Sequence, residues 1–287
     1  MFATLLGPLP RPLLPDDAPA EALLDACLGL QVEHGIEPLT DGGWPTDGDL
    51  VVAWRSTSQR ANGLVKGVID GPLSSGRPVD VVRAGLLELA DAGCRWIEVH
   101  EPAATSIGTD PDAQARFADT HRTLTAHLAP DIHLTLAITG GAANEAGIDT
   151  ILAGAYASLA LDLIAGPDNW YLAVAAPTER GIVCGALSAH PESDDGPELL
   201  LWAARYAAAS GGRGIDRVGL ATSGSLARLD WDVAATKVRR LGEAARLVTA
   251  SPAKRRQALD PRAVDSRSAA LGRVESMPLK RRNRIRP

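Results

Sequence analysis

Between Thr4 and about Val248, short apolar runs rich in β-branched residues alternate with longer amphipathic stretches, and this alternation restricts the chain to repeated strand and helix units around a parallel sheet. The strand runs are Ala3 to Gly7, Pro38 to Gly42, Val65 to Gly71, Trp96 to Pro102, His133 to Gly141, Ser158 to Leu163, Gly181 to Leu187 and Arg217 to Gly224. Eight such runs are the number that closes a parallel sheet on itself. The expected fold is therefore α/β, a (β/α)8 TIM barrel.

The intervening stretches PAEALLDACLGLQVEHG, VDVVRAGLLELADAG, PELLLWAARYAAAS and WDVAATKVRRLGEAARLV place apolar residues at i, i+3, i+4 and i+7, the spacing of one helix face. Gly35, Gly93 and Gly211 fall where left-handed helix ends are expected. Past Ala250 the periodicity stops and Arg, Ser and Pro accumulate, a composition that predicts disorder. The expected organisation is one barrel over residues 1–249 and a basic tail over 250–287.

Charge divides at the same place. From Lys254 onward there are 11 Lys and Arg against 3 Asp and Glu, whereas the preceding residues carry 18 against 32. A basic arm on an acidic body points to an acidic partner, to nucleic acid or to the body's own surface. A plain solubilising role is the favoured reading of the tail, since it has no aromatics to stack on bases.

Composition removes other classes. With 45% hydrophobic residues in 287, the chain can bury a sizeable core. No apolar run approaches the ~18 residues of a membrane span, and the N-terminus lacks a signal peptide's basic start, so a cytoplasmic location with no membrane partner is expected. Cys27, Cys94 and Cys184 are too scattered for a disulfide framework. Neither GxxxxGK[ST] nor GxGxxG stands between a strand and a helix.

In such a barrel, chemistry sits at the C-terminal ends of the strands. The polar groups there are Asp41, Asp70, Glu98, His100, Glu101, Thr139, Asp162, Ser188 and Ser223, with Trp44 just behind the second run. Glu98 and His100 alternate onto one side of their strand and Glu101 onto the other. A carboxylate and an imidazole in one mouth suit proton transfer, which makes Glu98 and His100 the catalytic candidates. Asp41, Trp44, Asp70, Glu101, Asp162 and Ser223 are the substrate-binding candidates. Any of them could instead cap a helix or a loop. A zinc site drawn from Cys184, His190 and His100 is geometrically conceivable, although Cys184 inside a strand suits apolar packing.

Several segments together resemble one family. TLLGPLPRP, HGIEPLTDGGW, VKGVIDGP, AGCRWIEVHEPA, GIVCGALSAHPES and WDVAATKVRRLGEAARLV are similar, in order and spacing, to motifs of the catalytic barrel of cobalamin-independent methionine synthases. The resemblance spans roughly residues 3–249. It implies the barrel fold and a methyl transfer to a thiol held by zinc. The implied zinc positions, however, fall near Leu136 and Ile138, at Ala160 and near Gly224. The implied substrate contacts fall on Gly43, His100, Gly185 and Leu187.

The expectation is thus a divergent relative without zinc or other predicted cofactor, acting on a small molecule at the C-terminal face, by one-carbon or alkyl transfer if active. Two alternatives stand beside it: a non-catalytic relative that senses a ligand or binds a partner, and a thiol methyltransferase using a corrinoid or folate donor. Uroporphyrinogen decarboxylase shares the barrel without a metal, but fold alone does not select the reaction.

Overall fold

Seven of the eight runs form strands in the computed structural model, which describes residues 1–193 and 196–258. They are β1 (Phe2–Thr4), β2 (Gly67–Asp70), β3 (Trp96–His100), β4 (His133–Ile138), β5 (Ser158–Asp162), β6 (Gly181–Leu187) and β7 (Val218–Thr222). All neighbours are parallel, in the order β1, β7, β6, β5, β4, β3, β2. The sheet is curled, as a barrel requires.

The run Pro38 to Gly42 does not become a strand. Pro38 has no N–H for a ladder, and Gly42 and Gly43 turn the backbone away at φ 69° and 82°. What remains is an antiparallel bridge between Ala3 and Glu37 and a parallel bridge between Leu39 and Val65. The bonds are Glu37 N–H to Ala3 O (2.7 Å), Leu39 N–H to Leu64 O (2.7 Å) and Lys66 N–H to Leu39 O (3.0 Å). This segment joins the two edges of the sheet, β1 and β2.

Outside the sheet lie α1 (Ala20–His34), α2 (Leu50–Arg60), the single turn α3 (Pro72–Ser75), α4 (Val79–Asp91), α5 (Pro111–Thr125), the turn α6 (Ile148–Ile151), α7 (Asn169–Ala175), α8 (Pro197–Ala209) and α9 (Trp231–Thr249). The periodicity read from the sequence matches the inner faces of α1, α4, α8 and α9. In α4 the buried stripe is Val82, Leu86, Leu89 and Ala90. Burying each Val or Leu there contributes about 1.5–3 kcal/mol. Gly35, Gly93 and Gly211 all have positive φ, as their helix-end positions anticipate.

Side chains inside the barrel follow the period of two. Leu6, Ala137, Ala160, Val183 and Ala221 form one interior cluster with Phe2 against it. By its internal contacts the chain divides after Thr249. Pro252–Ala258 at the start of the basic tail is helical (α10), a run of Ala, Lys, Arg and Gln with good helix propensity behind a favourable first-turn proline. The rest of the basic tail lies outside the described residues. No helix among the described residues is long and apolar enough to cross a membrane.

Candidate functional site

The strand ends bring Asp70, His100, Thr139, Asp162, Ser188 and Ser223 to one rim of the barrel. Asp70 and His100 are direct partners in the β2–β3 register, and His100 in turn faces Ala137 on β4. His100 is half-buried, and its Nε2 lies 2.9 Å from Thr139 Oγ1. Asp70 is exposed.

Glu98, two residues below His100, points the same way but has a different partner. Its Oε2 accepts from Lys66 Nζ at 2.5 Å, and Lys66 also donates to the Leu5 carbonyl at 2.7 Å. Both side chains are sealed, at 0% and 2% exposure. Removing two charges from water costs several kcal/mol per ion, so such a pair needs every remaining lone pair satisfied. Glu98 Oε1 is not satisfied: it is buried without a hydrogen-bond partner. Lys66 was absent from the candidates read from sequence. The alternation along β2 that sets Asp70 inward sets Lys66 inward as well, and would have found it.

Other rim groups are taken up by loops. Asp162 accepts from Ile164 and Ala165 N–H through Oδ1 at 2.9 Å each and from Gly140 N–H through Oδ2 at 3.0 Å, fastening the loop after β5 to that after β4. Ser188 Oγ accepts from His190 N–H at 3.0 Å, and Ser223 Oγ from Ala189 N–H at 3.1 Å. Asp41 accepts from Gly43 N–H at 2.8 Å. Burial raises its carboxyl above the ordinary value and that one amide offsets only part of the rise. Asp41 lines a small cavity with Thr40, Trp54 and Thr57, on the α2 side of the wall. Trp44 carries Arg11 over its ring at 5.9 Å and has a buried Nε1–H without a partner.

Glu101 faces away from the mouth. It is fully buried and receives Leu73 N–H (3.1 Å), Ser74 N–H (2.6 Å) and the Ser74 hydroxyl, so it caps α3. Behind it lies His121 Nε2 at 3.5 Å, and His121 Nδ1 meets Tyr156 Oη at 2.5 Å. Burial alone would raise its pKa, but His121, Ser74 and Leu73 together bring it below the usual value. Only glycine fits at position 71, because a Cβ there would sit 2.1 Å from Glu101 Oε2.

The positions that the resemblance implies for zinc carry no metal ligand. The inward positions on β4 are Ala137 and Thr139, not Leu136 and Ile138, which alternate outward into the helix layer. With Ala160 and Gly224 they supply no thiolate, imidazole or carboxylate. Cys184 turns outward, with Sγ 3.8 Å from Ala203 O on α8. Burial pushes its thiol up to about 12, and those of Cys27 and Cys94 to about 12 and about 11, which disfavours the thiolate that binds metal. Among the described residues no three His, Cys, Asp or Glu side chains gather where they could hold a metal.

Similarity to known proteins lies in the backbone. No protein-family model matches the chain, and no curated protein matches it. A B12-independent methionine synthase from Shewanella sp. W3-18-1, solved with selenomethionine, superimposes with a TM-score of 0.68 at 14% identity, over 86% of this chain and 97% of that one. A methyltransferase from Methanosarcina mazei gives 0.57 at 13% identity, over 84% and 92%. At these identities the likeness establishes the barrel fold.

Proposed function

We propose that the barrel is an enzyme acting on a small molecule at the C-terminal ends of its strands, without zinc, by transfer or removal of a one-carbon or alkyl group. The observation that carries this reading is the unpartnered Glu98 Oε1, a buried acceptor held in place by Lys66 below the rim. A buried polar atom without a partner costs about 1–3 kcal/mol, which a donor group on a bound substrate would recover once the mouth opens far enough to admit it to this sealed position. His100, steadied by Thr139 and beside the exposed Asp70, is the general acid or base; Asp70 and Trp44 contact the substrate. The similar barrels named as a methionine synthase and a methyltransferase support one-carbon chemistry by fold analogy alone.

The test pairs metal analysis with chemistry. The purified chain is expected to contain no stoichiometric zinc and to bind none in calorimetric titration. Proton NMR of mixtures with S-methyl, N-methyl and O-methyl donors is expected to reveal a methyl resonance that shifts in the presence of wild type and not of His100→Asn. Tight stoichiometric zinc would sink the metal-free part, and identical spectra for both proteins would sink the role of His100.

A second reading, a non-catalytic ligand- or partner-binding barrel, draws on Asp162, Ser188 and Ser223, whose acceptors serve loop amides. The basic segment from Lys254 would then engage an acidic partner. Truncation after Thr249 that abolishes partner capture while leaving the unfolding transition intact would favour it.

A further inference from the structure

The opposite end of the barrel holds a second cavity, of about 360 Å³, between the N-terminal ends of the strands. Small-molecule sites span roughly 300–1,000 Å³. That end of a barrel ordinarily carries packing alone. Here its lining is chemically organised. Phe2 meets Trp96 edge-on at 5.0 Å between centroids, and the Trp96 ring lies 3.9 Å from that of His133. His133 Nε2 is 2.9 Å from Ser158 Oγ, which is 2.8 Å from Thr135 Oγ1. Gly181 of β6 also lines it and is closely packed, since an added Cβ would sit 3.0 Å from Ser158 Cβ and 3.2 Å from Arg217 O.

The rim is acidic. Glu179 and Asp216 are exposed, line the cavity, and have no ion-pair partner within 4.0 Å among the described residues. Arg217, itself in the lining, donates to Glu179 O, and Arg180 donates to Leu152 O and Gly154 O while also feeling the Glu179 carboxylate, so Asp216 is the carboxylate of the rim with neither an ion pair nor an arginine acting on it among the described residues. Aromatic walls with carboxylates at the entrance match a flat ring that carries a cation, because the ring replaces water against Trp96 while the charge stays at the rim.

We infer that this lower cavity binds planar aromatic cations, such as aryl amines or amidines, at a site separate from the rim that carries His100. The inference does not depend on the proposed reaction.

Benzamidine is the probe, with benzoate as the anionic counterpart, titrated into the full chain while the His133 ring signals are followed by NMR. Benzamidine is expected to shift His133 and to bind at least tenfold more tightly than benzoate. Glu179→Lys with Asp216→Lys should weaken benzamidine at least tenfold, and the milder Glu179→Gln with Asp216→Asn should weaken it less; both positions are exposed, so the core is untouched. His100→Asn should bind benzamidine as wild type does. Absence of a His133 shift, equal binding of benzoate, or benzamidine affinity unchanged in both rim variants each overturns the inference.

Discussion

Lys66, just before β2, and Glu98 on β3 form an ion pair of 2.5 Å inside the barrel, out of contact with solvent. Removing one partner strands the other charge in a low-dielectric interior. Glu98→Ala is expected to destabilise the fold by about 3–5 kcal/mol, whereas Lys66→Met with Glu98→Leu should cost far less. Urea unfolding of the single and double variants checks this. A double variant as unstable as the single would mean that the pair itself, rather than the orphaned charge, holds the wall.

Turnover should depend on His100 more than stability does. His100→Asn is expected to lower the rate by roughly 10²–10⁴-fold, the usual contribution of a positioned acid or base. Thr139→Val, which removes the hydroxyl at 2.9 Å, should cost about 1 kcal/mol of stability and a smaller part of the rate. Steady-state kinetics on whichever methyl donor responds, beside thermal unfolding, separates the two effects.

Glu101 should prove structural. Its carboxyl is held below the ordinary value, so its charged form stabilises the fold above the unfolded pKa near 4.5, and that contribution fades as pH falls through the folded value. Glu101→Gln is expected to cost roughly 1–3 kcal/mol at pH 7, with the gap to wild type closing under acid conditions. Gly71→Ala, whose methyl would enter the same carboxylate, should cost a further ~1–3 kcal/mol. Chemical denaturation at pH 7 and pH 3.5 tests both.

Stability should also respond to His133. Burial pushes this imidazole down from 6.5 to about 4. The unfolded chain then binds the proton that the folded chain refuses, so stability is complete above pH 6.5 and declines as pH falls toward 4. The loss amounts to roughly 3 kcal/mol across that window. The charged groups at the same cavity are Glu179, Asp216 and Arg217. His133→Gln should flatten the profile between pH 6.5 and pH 4, measured by urea midpoints at half-unit steps.

Seven strands and four helices, α1, α4, α8 and α9, were legible from periodicity because burial on a sheet or helix face writes a period into the sequence. Pro38 to Gly42 misled because its apolar character is that of a strand while its proline and two glycines cannot sustain a ladder. At the site, alternation rightly separated Glu98 and His100 from Glu101. It left open which groups meet: Glu98 goes to Lys66 and His100 to Thr139, pairings that depend on strand order and register. Asp162, Ser188 and Ser223 sit at the rim as expected, yet their loop amides cannot be read before the loops are folded.

A hoop laced by full ladders has no free end, but this one has a buckle. Where Glu37 to Thr40 stands in for a strand, few backbone bonds cross, and the Lys66 ammonium reaches from β2 to the Leu5 carbonyl just beyond β1. One side chain therefore both clasps the circumference and grips the carboxylate below the rim. Opening the wall at this point would break the contact that holds Glu98.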